Sequence, residues 1–383
     1  MNRDARLVGL ALMLWGFGEG LFFHIEPLYI ARLGATPAQI GGILAIASVV
    51  RGTTYLPAGL IADRVPRKWV MVGGWVTGLL GVLLVASARS WQGLVPGLLT
   101  YALSAYCIPV VNTYLAHAVG GARLARTITA VFAGYAAGGI VSPAVGGWLA
   151  GLTSMRAVYL ASALCFGVST IAVAQVSPQP VLERTAEAPR WRSLLNRRFL
   201  GFAFFTGLLF TAMYLAFPLA PNYLQEVGGW PVSRIGALGS FQALGTALLS
   251  PFLGRLVDGD KQEVQSRGFM GLGLGLPVGV GLFWGSVLVL LVAGTLPLLV
   301  LAYLLRGAYF ACRSLIQAAS ARLADEADRG LLLGASETVI AAAQVIGPYM
   351  AGRLYTGAPA YPFGASLLLI PAVLILGIVA SRH

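Results

Sequence analysis

Ionisable side chains stand inside long apolar stretches of this sequence, where chemistry would have to be done: Glu19, Glu26, Arg51, Arg306, Arg313 and Glu337. A charge at membrane depth is costly, so it either pairs with another charge or serves a solute or proton pathway. Glu19 and Glu26 are close to two helical turns apart, so a continuous helix puts them on one face about 10 Å apart. Carboxyl groups in apolar surroundings can bind and release protons near neutral pH. Glu19 and Glu26 are therefore the first candidates for proton coupling, and Glu337 the third. Glu19 and Arg51 fall at similar depth and are expected to be near neighbours. Arg313 and Glu337 also match in depth and are expected to pair. Arg306 shares a face with Arg313 and would then be left free, pointing into a cavity. His24 could titrate, but beside Phe22 and Phe23 it reads as an interfacial residue.

The elements that must hold these groups are legible from composition. The chain has 383 residues, 57% of them apolar and only 10% charged, against about a quarter charged in a soluble domain. The apolar residues fall in runs of about twenty, the length that crosses a bilayer core as a helix. Backbone groups in lipid must be paired internally, so the spans are helices; the alternating segments of a membrane β-barrel are absent. Twelve spans are predicted, near 6–32, 37–62, 68–88, 92–118, 124–151, 155–177, 199–225, 232–257, 267–292, 296–322, 330–355 and 361–381. The polar stretch 178–198 separates residues 1–177 from 199–383 as a linker between two six-helix bundles.

The formal net charge of +12 is spread over short segments between spans, which excludes a nucleic-acid partner and instead orients the chain. Most Lys and Arg fall on the side of both termini and the linker, so that side is expected to be cytoplasmic, in a cell inner membrane. Cys107, Cys165 and Cys312 lie in apolar runs without pair spacing and read as buried hydrophobes. No HExxH, GxSxG or P-loop is present, so no enzyme, cofactor or metal site is expected.

The two halves repeat one another. Pro27-Leu28-Tyr29 before Leu33-Gly34 echoes Pro221-Asn222-Tyr223 before Val227-Gly228. Gly59 and Asp63 echo Gly254 and Asp258, Tyr101 and Ser104 fall opposite Tyr303 and Arg306, and Ser142-Pro143 echoes Gly347-Pro348. Duplicated helical units with a site near the bilayer midplane are a transporter architecture.

The segment Gly59-Leu60-Ile61-Ala62-Asp63-Arg64-Val65-Pro66-Arg67-Lys68 resembles the loop 2–3 signature of the major facilitator superfamily, G-x-x-x-D-R-x-G-R-K, with Pro66 where glycine is usual. The resemblance covers essentially the whole chain and implies an all-α membrane fold of twelve helices in two pseudo-symmetric bundles. It implies that spans one, four, seven and ten line the cavity. It also implies that Asp63, with Arg64, Arg67 and Lys68 nearby, latches the halves at the start of span eleven, near Gly330. Gly134, Gly138, Ser142-Pro143 and Gly146-Gly147 in span five are similar to the antiporter signature of the same family. Ser142 replaces its second glycine and Thr129 its upstream one. That likeness implies proton-exchange export, although small residues also let helices approach closely and Pro143 bends the span. The family's arginine in span four is replaced by Ser104.

Tyr106, Asn112, Tyr214, Asn222, Gln242 and Tyr303 are the aromatic and polar candidates for the cavity wall. That mix suits an amphiphilic or aromatic solute better than a sugar, which needs many convergent amides and hydroxyls. The expected activity is secondary transport by alternating access: proton-coupled export of small amphiphilic compounds, by a monomer in contact with membrane lipids and protons. Uptake or exchange of a small organic anion, with the arginines as counter-charges, and lipid flipping are the other readings.

Overall fold

The computed structural model describes residues 2–62, 65–119, 124–179, 196–258, 274–323 and 329–380. Among these residues the regular structure is helical throughout. The helices are α1 (Arg3–Phe23), α2 (Glu26–Arg32), α3 (Pro37–Ala62), α4 (Arg67–Ser87), α5 (Trp91–Leu103), α6 (Cys107–Val119), α7 (Leu124–Leu152) and α8 (Met155–Ala174). They continue with α9 (Arg197–Leu215), α10 (Ala220–Glu226), α11 (Val232–Asp258), α12 (Gly275–Val292), α13 (Leu296–Arg306), α14 (Ala308–Arg322), α15 (Arg329–Gly357) and α16 (Tyr361–Ala380). Among the described residues 10 spans are long and apolar enough to cross a membrane, and Tyr361–Gly377 is a shorter apolar helix. The described helices match the predicted spans to within a few residues at most ends. Residues 180–195 of the linker lie outside the described residues.

Four of the predicted spans are broken, in matched pairs. Span one is α1 followed by α2, and span seven is α9 followed by α10. Pro27 sits just inside α2, where a missing N–H costs nothing, and Pro218 and Pro221 flank the start of α10. Span four passes from α5 through a 3-10 turn, Ser104–Tyr106, into α6. Pro109 cannot donate to the carbonyl four residues back, which favours the break there. Span ten is interrupted at Gly307, between α13 and α14. Gly307 is there for close approach: a Cβ would strike the backbone of Gly245 and Thr246 in α11. Two further glycines follow the short helices α2 and α10 with positive φ, Gly34 at 92° and Gly229 at 65°. Only glycine adopts this conformation without strain, and it places the true counterpart of Gly34 one residue later than the sequence match at Gly228.

The chain divides into two compact units. The first comprises Met1–Thr36, Ile46–Ala186 and Leu224–Ser240; the second comprises Pro37–Ala45, Glu187–Tyr223 and Phe241–His383. Within the first, α1 packs on α7 and α8, and α4 on α5 and α8. Within the second, α9 packs on α15 and α16, and α12 on α13 and α16. The pairing of spans one, three, four, five and six thus recurs among seven, nine, ten, eleven and twelve.

Candidate functional site

Small residues set the geometry of the first unit. A Cβ at Gly16 would meet the backbone carbonyl of Tyr135, and one at Gly138 would lie 2.5 Å from the Met13 carbonyl oxygen. Gly20 faces Ser142, and Gly146 faces the Leu21 backbone. One face of α7 therefore lies against α1 along its length. This proximity lets the Tyr135 hydroxyl donate a 2.5 Å hydrogen bond to Oε2 of Glu19. Tyr101 of α5 also hydrogen-bonds Glu19 through its side chain. Gly147 and Pro143, on another face of α7, receive the start of α11, with a Cβ at Gly147 falling 2.7 Å from the Cα of Gly236. Each small residue of the span-five motif thus has a packing contact within this unit.

Aromatic rings brace Glu19. Trp15 stacks on Phe166 with centroids 4.0 Å apart and planes at 5°, and meets Trp75 edge-on at 5.3 Å. Trp75 donates to Ser169 Oγ at 2.7 Å, and Ser169 to the Ala11 carbonyl at 2.7 Å. A side chain at Gly78 would occupy the space of the Trp15 ring. Beside these groups opens a cavity of about 210 Å³ lined by Leu12, Trp15, Glu19, Arg51, Trp75, Tyr101, Ser104, Ala105, Cys107, Ile108, Val111, Phe132 and Tyr135. Glu19 and Arg51 share this cavity, and both act electrostatically on Tyr101.

Glu26 is placed differently from the sequence expectation. The break after Phe23 ends the common helix face, and Glu26 opens α2, where it accepts a 3.3 Å hydrogen bond from Tyr159 of α8. Arg51 and Glu19 remain within electrostatic range of it, but it does not line the cavity. Tyr106 and Asn112 are also absent from the cavity lining. The Tyr106 hydroxyl points at Gly73 and hydrogen-bonds Thr77, and the Asn112 side-chain oxygen is buried.

In the second unit the expectation of a free Arg306 is corrected. The residue is 2% exposed and donates from Nη2 to the carbonyls of Ala216 and Phe217, both at 2.8 Å. Those carbonyls are left without helical partners where α9 ends, and a cation at a helix C-terminus is favoured by the dipole. The guanidinium also lies 4.5 Å from the Phe217 ring centroid and 5.7 Å from that of Tyr303. Tyr303, Asn222 and Gln242 are buried, and Tyr214 stacks on Phe217 at 5.3 Å. Arg313 and Glu337 pair at 2.5 Å, each 32% exposed, as their depths suggested. Gln317 donates to the other Glu337 oxygen.

Asp63 and Arg64 of the loop motif lie outside the described residues. Gly59 is in α3, Arg67 opens α4 after the N-cap Pro66, and Lys68 Nζ lies 5.5 Å from the Trp69 ring. Among the described residues no group of His, Cys, Asp or Glu could hold a metal ion. Tyr135, Tyr101, Tyr159, Trp75 and Phe132 were missed as partners in the sequence. One signal was available: Tyr135 is one turn before Gly138, on the same α7 face.

Comparison with known proteins gives a consistent picture. The family model described as Major Facilitator Superfamily matches residues 8–348. The Multidrug resistance protein MdtG of Proteus mirabilis is 23% identical over 274 residues, 67% of each chain. The Multidrug resistance protein B homolog of Mycobacterium tuberculosis is 29% identical over 157 residues, 39% of this chain and 27% of that one. Among solved structures, nucleoside transporter NupG superposes with a TM-score of 0.78 at 14% identity, covering 99% of this chain and 98% of its own.

Proposed function

The chain belongs to the major facilitator superfamily, and from that premise we propose that it exports small amphiphilic compounds in exchange for protons, by alternating access. The observation that carries this reading is Glu19: a carboxylate in an aromatic cavity, held by the neutral hydroxyls of Tyr135 and Tyr101. Such a group can bind either a proton or a cationic solute, and competition for one carboxylate is the simplest basis of exchange. The multidrug relatives support the same direction of transport. The Lys and Arg bias assigns both termini to the cytoplasmic side of an inner membrane. The organic-anion reading takes Arg51, Arg306 and Arg313 as counter-charges; of these Arg306 donates from Nη2 to backbone carbonyls, while its buried Nη1 makes no hydrogen bond among the described residues.

The test is proton movement in liposomes containing the purified protein, across a panel of amphiphilic cations and organic anions, with Glu19→Gln beside the parent. Cation-driven proton flux abolished in Glu19→Gln is expected. A response to anions alone, indifferent to Glu19, would sink the reading.

A further inference from the structure

In the first unit the tyrosine before the break in span four has an anionic partner: Tyr101 hydrogen-bonds Glu19 of span one. The second unit repeats this arrangement except for that partner. Tyr303 falls opposite Tyr101, and Arg306 follows it one turn later, against the break in span seven. With Pro27 set against Pro221, the residue opposite Glu19 is Met213, a neutral thioether buried in α9. The second unit therefore holds a cation at this level and lacks the carboxylate.

Arg306 uses Nη2 on the Ala216 and Phe217 carbonyls. Its Nη1 is buried and has no hydrogen-bond partner among the described residues. The groups that act on the guanidinium electrostatically are the Tyr303 and Tyr214 hydroxyls, both neutral. Carbonyl dipoles and the faces of Phe217 and Tyr303 temper the charge without cancelling it, and a buried ion without a counter-ion is costly. The Tyr303 hydroxyl is a second donor that feels the Arg306 charge and has no acceptor among the described residues. Donors around a positive charge, with no acceptor to meet them, are the chemistry of an anion site.

Size decides which anion. Arg306 is 2% exposed, Tyr303 3% and Gln242, whose carbonyl lies close to Gly307, 2%. An organic solute would have to part these side chains, whereas a monatomic ion needs about the room of one water molecule, roughly 30 Å³. We propose that the second unit binds a chloride-sized monovalent anion at Nη1 of Arg306. The inference goes beyond the exchange reading and does not rest on it.

The test is the unfolding midpoint of the purified full chain in detergent as chloride replaces gluconate at constant ionic strength. A saturable rise of about 2 °C or more is expected, reproduced by bromide but not by acetate. Arg306→Gln can still donate to a carbonyl but carries no charge, and should abolish the rise. Tyr303→Phe should move half-saturation to at least about threefold higher chloride. Should Arg306→Gln not fold, Tyr303→Phe decides, with the chloride NMR line width and its reversal by bromide as the direct measure of binding; an unchanged half-saturation then overturns the proposal. A midpoint indifferent to chloride, or an equal rise in Arg306→Gln, also overturns it and leaves Nη1 to water. A rise with acetate but none with chloride overturns it in favour of a solute carboxylate. None of these results bears on proton exchange at Glu19, which the liposome experiment tests separately.

Discussion

Arg306 and Ala216 belong to two different broken spans, and the 2.8 Å hydrogen bond from the guanidinium of one to the carbonyl of the other ties the two breaks together. Arg306→Ala would strand two buried carbonyls and remove a cation from two aromatic faces, costing about 2–4 kcal/mol. Thermal unfolding in detergent should show a clearly lowered midpoint. Arg306→Lys keeps the charge but not the planar fork, and should fall between. An unchanged midpoint for Arg306→Ala would mean that water or another group takes over the carbonyls.

The Tyr135 hydroxyl is the donor that steadies Glu19. A hydrogen bond to a charged group contributes about 1.5–3 kcal/mol, so Tyr135→Phe should reduce substrate-driven proton flux by roughly tenfold or more. Folding should be nearly unaffected, because the ring is retained. Flux equal to the parent would remove Tyr135 from the site.

Helix α7 can approach α1 only because Gly138 lacks a side chain. A Cβ there would lie 2.5 Å from the Met13 carbonyl oxygen, whereas at Gly139 it would meet nothing within 4 Å. Gly138→Val should therefore lower both stability and transport, and Gly139→Ala should do neither. Comparing the two melting curves with the two flux rates checks the contrast. Equal behaviour would show that the helices can part without consequence.

Arg313 and Glu337 form a half-exposed pair, so solvent screening keeps its contribution to about 1 kcal/mol or less. In a double-mutant cycle of Arg313→Ala and Glu337→Ala, the second substitution should cost less than it does alone. Additive losses would indicate that the two charges act separately.

Span positions and the depth match of Arg313 with Glu337 were readable from the sequence, because both depend only on rise along a helix. What lay on which face was less so. The 3-10 turn at Ser104–Tyr106 winds more tightly than an α-helix and resets the angular phase of everything after it. Tyr106 and Asn112, candidates for the cavity wall by residue type, are absent from the lining of the cavity beside Glu19. Glu26 was displaced for the same reason by the break after Phe23. The fate of Arg306 was hidden more deeply, since its partners are carbonyls that become available only because α9 stops at Leu215.

Leu224–Ser240 belong with a unit otherwise built from residues up to Ala186. They leave the ribosome only after the polar stretch 178–198 and all of α9. When α8 has been inserted, the small-residue face of α7 around Pro143 and Gly147 still lacks the helix that will cover it. Pro37–Ala45 wait in the same way for Pro348 and Gly352, until α15 has been made. Maturation of the nascent chain is therefore joint rather than sequential, and a ribosome stalled in span seven would present the insertion machinery with an open seam rather than a finished first half.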